Sequence, residues 1–273
     1  MARRPAAEAP EAPAPEPDRV EPWPHPRHTA ALHGQGAAER AVLDALASGR
    51  MPHAWLLTGP RGVGKATLAW RIARRMLAEP AEPDGPGLFG ETPAPPATLD
   101  MDPEDPVFRR AAALAEPRLR LLRRGWDEKG RRLRASILAD DARGLRDLFA
   151  RTAADGGWRV AVVDSVDDAN VQAANSLLKL IEEPPPRCVF LLVSHAPSRL
   201  LPTIRSRCRR LPLSPLGPED LARAVAEARA AAGEAPGEIG PALAALAGGS
   251  VGEALRLTAL GGEALYRDLV ALH

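Results

Sequence analysis

The stretch HAWLLTGPRGVGKATLAWRIAR, residues 53–74, decides the fold. It opens on a short apolar run, HAWLLT, of the length expected for a buried strand. Glycines then stand at 59, 62 and 64, and a helix is predicted from Lys65 to about Ala78. Strand, glycine-rich loop and helix, in that order, let G-x-x-x-x-G-K present backbone N–H groups and a helix N-terminus to a phosphate. Lys65 is the residue expected to reach the β and γ phosphates. The pattern should close on Ser or Thr, whose hydroxyl holds Mg²⁺, but the residue is Ala66. Thr67 follows one position later, about 100° around the helix, and is a poor substitute. The stretch therefore predicts a phosphate-binding loop and argues against metal-dependent hydrolysis at it.

Working outward, WRVAVVDS reads as a second buried strand, ending in Asp164. An acid there suits metal binding, yet the next position, where a hydrolytic site carries Glu to polarise water, is Ser165. Asp167 and Asp168 read as helix-capping or surface acids. RCVFLLVS is a third buried strand, ending at Ser194. Further strands are predicted at Arg118 to Leu122 and near Ser136 to Leu138, around a hinge at DEKG. Helices are predicted over about 37–49, 107–115 and 140–152, the last with Asp140 or Asp141 as its N-cap. NVQAANSLLKLIEEPP is an amphipathic helix stopped by prolines. Strands alternating with helices predict an α/β fold, a parallel sheet with helices on both faces. From Pro218 the pattern is wholly helical, at 218–232, 239–247 and 250–260, and predicts a small second domain.

Composition sets the outer bounds. The chain has 273 residues, 45% of them hydrophobic and 26% charged, as in ordinary globular proteins. A net charge of +1 offers no bulk attraction to nucleic acid, although a local basic patch is compatible with it. The stretch 118–134 carries eight basic residues and Trp126, and reads as a solvated hairpin before it reads as a DNA-facing patch. Two cysteines, Cys188 and Cys208, lack CxxC spacing, so neither a disulfide framework nor a zinc site is indicated. No apolar run is long enough for a membrane span, the N-terminus lacks the apolar core of a secretory signal, and a reducing cytoplasmic setting is expected. Eight prolines fall in the first 26 positions. Residues 1–28 are accordingly expected to be a disordered tail, and removing residues 1–27 is expected to leave the melting temperature nearly unchanged. Residues 79–106 read as an exposed Pro/Gly-rich insertion.

NSLLKLIEEPPPRCVFLLVSHAPSRLLPTIRSRCRRLPL, residues 175–213, resembles the clamp-loader branch of the AAA+ family through its LLKxxEEPP block, the strand after it and the triplet Ser206-Arg207-Cys208. The likeness spans about residues 30–260. It implies an AAA+ phosphate-loop sheet domain over 29–215, a helical lid over 216–262, and at 263–273 the start of a third, collar domain that is truncated or absent. It implies that Arg207 acts in trans, as a finger aimed at ATP held by a neighbouring ATPase subunit. It places a polar sensor at Ser194. It places a second, arginine sensor within Gly249-Ser250-Val251-Gly252, where glycine occupies the arginine position. The resemblance thus implies a degenerate nucleotide site built from Gly59, Gly62, Gly64, Lys65, Ala66, Thr67, Asp164 and Ser194. ATP or ADP binds there without hydrolysis, if at all, no metal is held and no cofactor is required. Many relatives carry a four-cysteine zinc module after the loop helix, whereas residues 79–135 contain no cysteine, so no zinc is expected. Partners implied are the loader's ATPase and clamp-opening subunits and, through them, a sliding clamp and primed DNA in replication, with no membrane. The rival expectation is an active AAA+ ATPase motor subunit using Lys65, Asp164 and Thr67. Ala66, Ser165 and Gly252 all speak against it.

Overall fold

The computed structural model describes residues 15–79, 96–150, 156–234 and 239–262. Its centre is a five-stranded, wholly parallel sheet. The strands are β1 (Ala54–Thr58), β2 (Leu119–Leu122), β5 (Arg159–Asp164), β6 (Cys188–Ser194) and β7 (Arg209–Pro212), in the order β2-β5-β6-β1-β7. A two-stranded antiparallel hairpin, β3 (Trp126–Asp127) and β4 (Arg132–Leu133), stands apart from it. The three central strands are buried along their whole length, which is why they read as unbroken apolar runs.

Within those runs the side chains alternate between two cores, as strand geometry requires. Trp55, Leu57, Val160, Val162, Val189 and Leu191 join the core that includes α2 (Lys65–Ala78), with residues of α1 (Gly36–Ala47) on the same side. Ala54, Leu56, Ala161, Val163, Phe190 and Leu192 join the opposite core, with α4 (Ala139–Ala150), α5 (Val171–Glu182) and α6 (Pro202–Arg207). Helices on both faces follow. A short helix, α3 (Pro106–Ala112), precedes β2 with the Asp105 carboxylate accepting from the Val107 N–H. Past the sheet come α7 (Pro218–Ala231), α8 (Pro241–Ala247) and α9 (Val251–Ala259). Among the described residues, no helix is long and apolar enough to cross a membrane.

Four expectations need correction. Residues 15–28 are packed, not disordered, and residues 1–14 lie outside the described residues. Trp23 is 2% exposed, and His25 is buried with its ring edge-on to Trp70. The Arg123 guanidinium donates to Asp18 at 2.8 Å and Glu16 at 2.7 Å, and Arg27 donates to Glu16 at 2.6 Å. Burial alone would raise the Glu16 carboxyl, but those two guanidiniums outweigh it and hold its pKa at about 2. Prolines suggested a chain with nothing to bury; a single tryptophan and partners a hundred residues away supply the anchor.

The end of the proline-rich insertion is also packed. Leu99 is buried and Asp100 accepts from Arg71 at 2.7 Å, while residues 80–95 lie outside the described residues. Residues 136–138 form no sheet strand, because Ile137 pairs with the loop after β5, donating to the Asp168 carbonyl and accepting from the Asn170 N–H. Asp140 and Asp141 sit inside the first turn of α4, where Asp141 reaches back to the Leu138 N–H at 2.8 Å. The predicted end of that helix, at 152, lies outside the described residues. Helix α6 and edge strand β7 carry too short an apolar signal to have been read, with one buried residue each.

Candidate functional site

The chain reverses direction across the sheet at β1. Its next strand in sequence, β2, lies at the far edge, so the carboxyl end of β1 opens onto a crevice of the kind that binds ligands in open α/β sheets. The phosphate loop occupies that crevice. Each glycine has a distinct physical reason. Gly59 has φ +146°, and a Cβ there would lie 2.3 Å from the Leu213 carbonyl oxygen, so it admits the chain leaving β7. Gly62 has φ +75°, and a Cβ would lie 2.2 Å from Ser250 Oγ. Gly64, at φ +97°, is the N-cap of α2.

A cleft of about 990 Å³ runs from this loop. Gly62, Gly64, Lys65, Ala66, Thr67 and Asp164 all line it. Its other walls come from the N-terminal segment, including Trp23 and Leu32, and from α7 and α9, including Ala228 and Arg256. Of the expected site residues, Gly59, Ser194 and Arg207 do not line it. Gly59 shapes the loop from behind. Ser194 is fully buried, its hydroxyl donating to Asp167 at 2.8 Å. Arg207 is outside the cleft altogether, 39% exposed, with its guanidinium 2.9 Å from Glu182.

Lys65 is buried, and its ammonium donates to the carbonyls of Gly59, at 2.7 Å, and of Pro60. Burial pulls its pKa down to about 8, against the opposing pull of Asp164 and Asp167. Asp164 is pushed up to about 7, first by burial and then by Asp18, with Lys65 working the other way. Burial thus disfavours the charged form of Asp164, which shares the cleft with Ala66. Among the described residues, no group of three or more His, Cys, Asp or Glu side chains is placed to hold a metal ion. Both cysteines are buried thiols, Cys188 pushed by burial to about 11 and Cys208 to about 12, which suits packing rather than nucleophilic chemistry.

Three features escaped sequence reasoning. Asp167 is no surface acid: besides Ser194 it accepts from the backbone N–H of His195 at 2.5 Å and of Ala196 at 3.3 Å, fixing the end of β6. His195, beside it, lines the cleft and is held neutral, its pKa pushed down to about 4 by burial and then by Lys65 and Arg61. The lid touches the loop directly, Ser250 Oγ donating to the Arg61 carbonyl at 2.9 Å and the Gly252 N–H to the Gly62 carbonyl at 3.3 Å. The position expected to lack a sensor arginine is thus a glycine in contact with loop backbone. The basic stretch 118–134 folds as β2 and the β3–β4 hairpin, and much of its charge is answered within the chain: Arg118 by Glu116, Arg123 by Glu16 and Asp18, Arg124 by Asp168, Arg134 by Asp141.

A parallel sheet with this loop between β1 and α2, and helices at its C-terminal end, defines a phosphate-loop α/β protein, the fold that the AAA+ resemblance implied. Residues 104–217 match the family model described as DNA polymerase III, delta subunit. The chain is 38% identical over 209 residues to DNA polymerase III subunit delta' of Pseudomonas aeruginosa, covering 75% of this chain and 55% of that one. It is 28% identical over 201 residues to DNA polymerase III subunit gamma/tau of Mycobacterium tuberculosis, covering 72% of this chain and 30% of that one. Among solved structures, the RuvB Holliday junction branch migration motor of Thermotoga maritima aligns with a TM-score of 0.47 at 18% identity, covering 86% of this chain and 64% of that one. By these matches the chain is similar to subunits of DNA polymerase III, over three quarters of its own length in the case of subunit delta'. It spans about half the length of the delta-prime relative and less than a third of the gamma/tau relative.

Proposed function

We propose that this chain is a delta-prime-like subunit of the clamp loader of the bacterial DNA polymerase III holoenzyme, without ATPase activity of its own. The observation that carries the reading is the contrast within one cleft. The groups that grip phosphate are present: a loop of positive-φ glycines, a helix N-terminus and Lys65. The groups that hold metal and activate water are replaced, by Ala66 and Ser165. ADP or ATP fits such a site through its phosphates, with no metal and no turnover.

In the same reading Arg207 serves a neighbour. It lies outside its own cleft and keeps a half-exposed guanidinium, a permanently charged fork of donors suited to phosphate oxygens. Placed against ATP on a gamma/tau subunit, it would stabilise charge developing on the transferred phosphoryl group. The delta subunit, sliding clamp and primed DNA complete the assembly. The second reading, a gamma/tau-like motor, draws support from Thr67, which also lines the cleft.

Reconstitution separates them. The chain is mixed with gamma/tau, delta, clamp and primed DNA, and ATP turnover is measured with wild type and Arg207→Ala, alongside gel filtration. The expected result is a loss of about tenfold or more with assembly intact. Equal turnover in an intact assembly would overturn the role of Arg207. Turnover by the isolated chain that disappears in Lys65→Ala would favour the motor.

A further inference from the structure

We infer that Gln35 is a positioning residue that couples the phosphate loop to the lid, an inference that rests on the reading of the loop as a nucleotide site. Gln35 stands at the N-cap of α1 and is 4% exposed, yet its side chain makes no capping bond to that helix. The amide is spent on two other segments. Its Nε2 donates to the Val63 carbonyl in the phosphate loop at 3.1 Å and to the Ser214 carbonyl at 2.7 Å, and its Oε1 accepts from the Ser214 N–H at 3.3 Å. Ser214 belongs to the short link between β7 and α7.

These bonds close a circuit. The link continues to Leu216, whose N–H donates to the Gly249 carbonyl at 2.9 Å. Gly249 leads into Ser250 and Gly252, which bond the Arg61 and Gly62 carbonyls. Loop, Gln35, link and the start of α9 thus form one ring of hydrogen bonds that passes through the cleft-lining residues Gly62, Val63, Leu216, Ser250 and Gly252. A phosphate that shifts the loop backbone pulls on the link through Gln35 and on α9 through Gly62. Without Gln35 the loop keeps its hydrogen bonds to Ser250 and Gly252, and the link loses its side-chain tie to the Val63 carbonyl. The residue needs both donors and an acceptor on one planar group, which glutamine supplies and glutamate or leucine does not.

Hydrogen exchange on the full chain tests this, with wild type, Gln35→Leu and Gln35→Glu, each alone and with ADP. Without ADP, both variants should speed exchange of residues 60–64 and 214–217 together, by about tenfold, the factor that one lost buried hydrogen bond represents. Residues 188–194 should be unchanged. With ADP, wild type should slow exchange in both segments, and the variants in residues 60–64 alone. Loosening confined to residues 33–38, or ADP protection of 214–217 that persists in the variants, would overturn the coupling. The glutamate variant keeps the length and one acceptor and serves if the leucine variant fails to fold. If wild type shows no protection by ADP at all, the nucleotide reading fails, and the comparison without ADP still decides the role of Gln35.

Discussion

Asp164 and Lys65 share a buried pocket in which neither charge is comfortable. The net displacement of Asp164 is upward, to about 7, although Lys65 pulls the other way, so desolvation outweighs the attraction. The linkage sign follows. A carboxyl with a folded pKa above its unfolded value favours the native state when protonated, and this contribution fades as pH rises through about 7. Lys65, displaced down to about 8, contributes in the opposite sense, destabilising the native state as pH falls through that value. Asp164→Asn should therefore raise the melting temperature at pH 8 by several degrees, at about 2–4 °C per kcal/mol for a chain of this size. The gain should disappear at pH 4, where wild type is already protonated. A lower melting temperature for the variant at pH 8 would mean that Asp164 is stabilised as an anion by a partner not accounted for.

Among elements, the N-terminal segment changes most from expectation. It lies on α2, where the buried Arg74 guanidinium donates to the carbonyls of Arg27 and Thr29, each at 2.8 Å, and stacks 4.1 Å from the Phe108 ring. Arg71 beside it binds Glu39, Asp100 and the Ala30 carbonyl. Removing the segment would strip the Arg27 carbonyl from the buried Arg74 guanidinium. Trp23→Ala should cost about 3 kcal/mol or more and lower the melting temperature by about 6–12 °C or more. An unchanged melting temperature, measured by calorimetry, would restore the picture of a loose tail. The contrast with β1, β5, β6 and α2 explains what a sequence discloses. Those elements announce themselves because burial on both sides of a sheet demands continuous apolar runs, and the loop because only glycines tolerate its backbone. The segment at 15–28, the Gln35 clasp and the Asp167–Ser194 bond are held by single polar or aromatic side chains meeting partners far along the chain, and nothing in local spacing signals them.

For the whole molecule, sheet, loop, N-terminal segment and lid line a cleft that holds Lys65 and the loop glycines Gly62 and Gly64, with Ala66 and Ser165 at the positions expected to serve metal and water. Three positions, Ala66, Ser165 and Gly252, were legible one by one; that Gly252 and Ser250 bear directly on the loop required the fold. The proposed division of labour is that this chain holds nucleotide as a fixed part and lends Arg207 outward. The most direct measurement is a calorimetric titration of the isolated chain with ATP, in Mg²⁺ and in excess chelator, with product analysis of the same samples. The account predicts dissociation constants that agree within about twofold, which is under 0.5 kcal/mol, and intact ATP at the end. Binding that strengthens about tenfold or more with Mg²⁺, accompanied by conversion to ADP that Lys65→Ala abolishes, would contradict it.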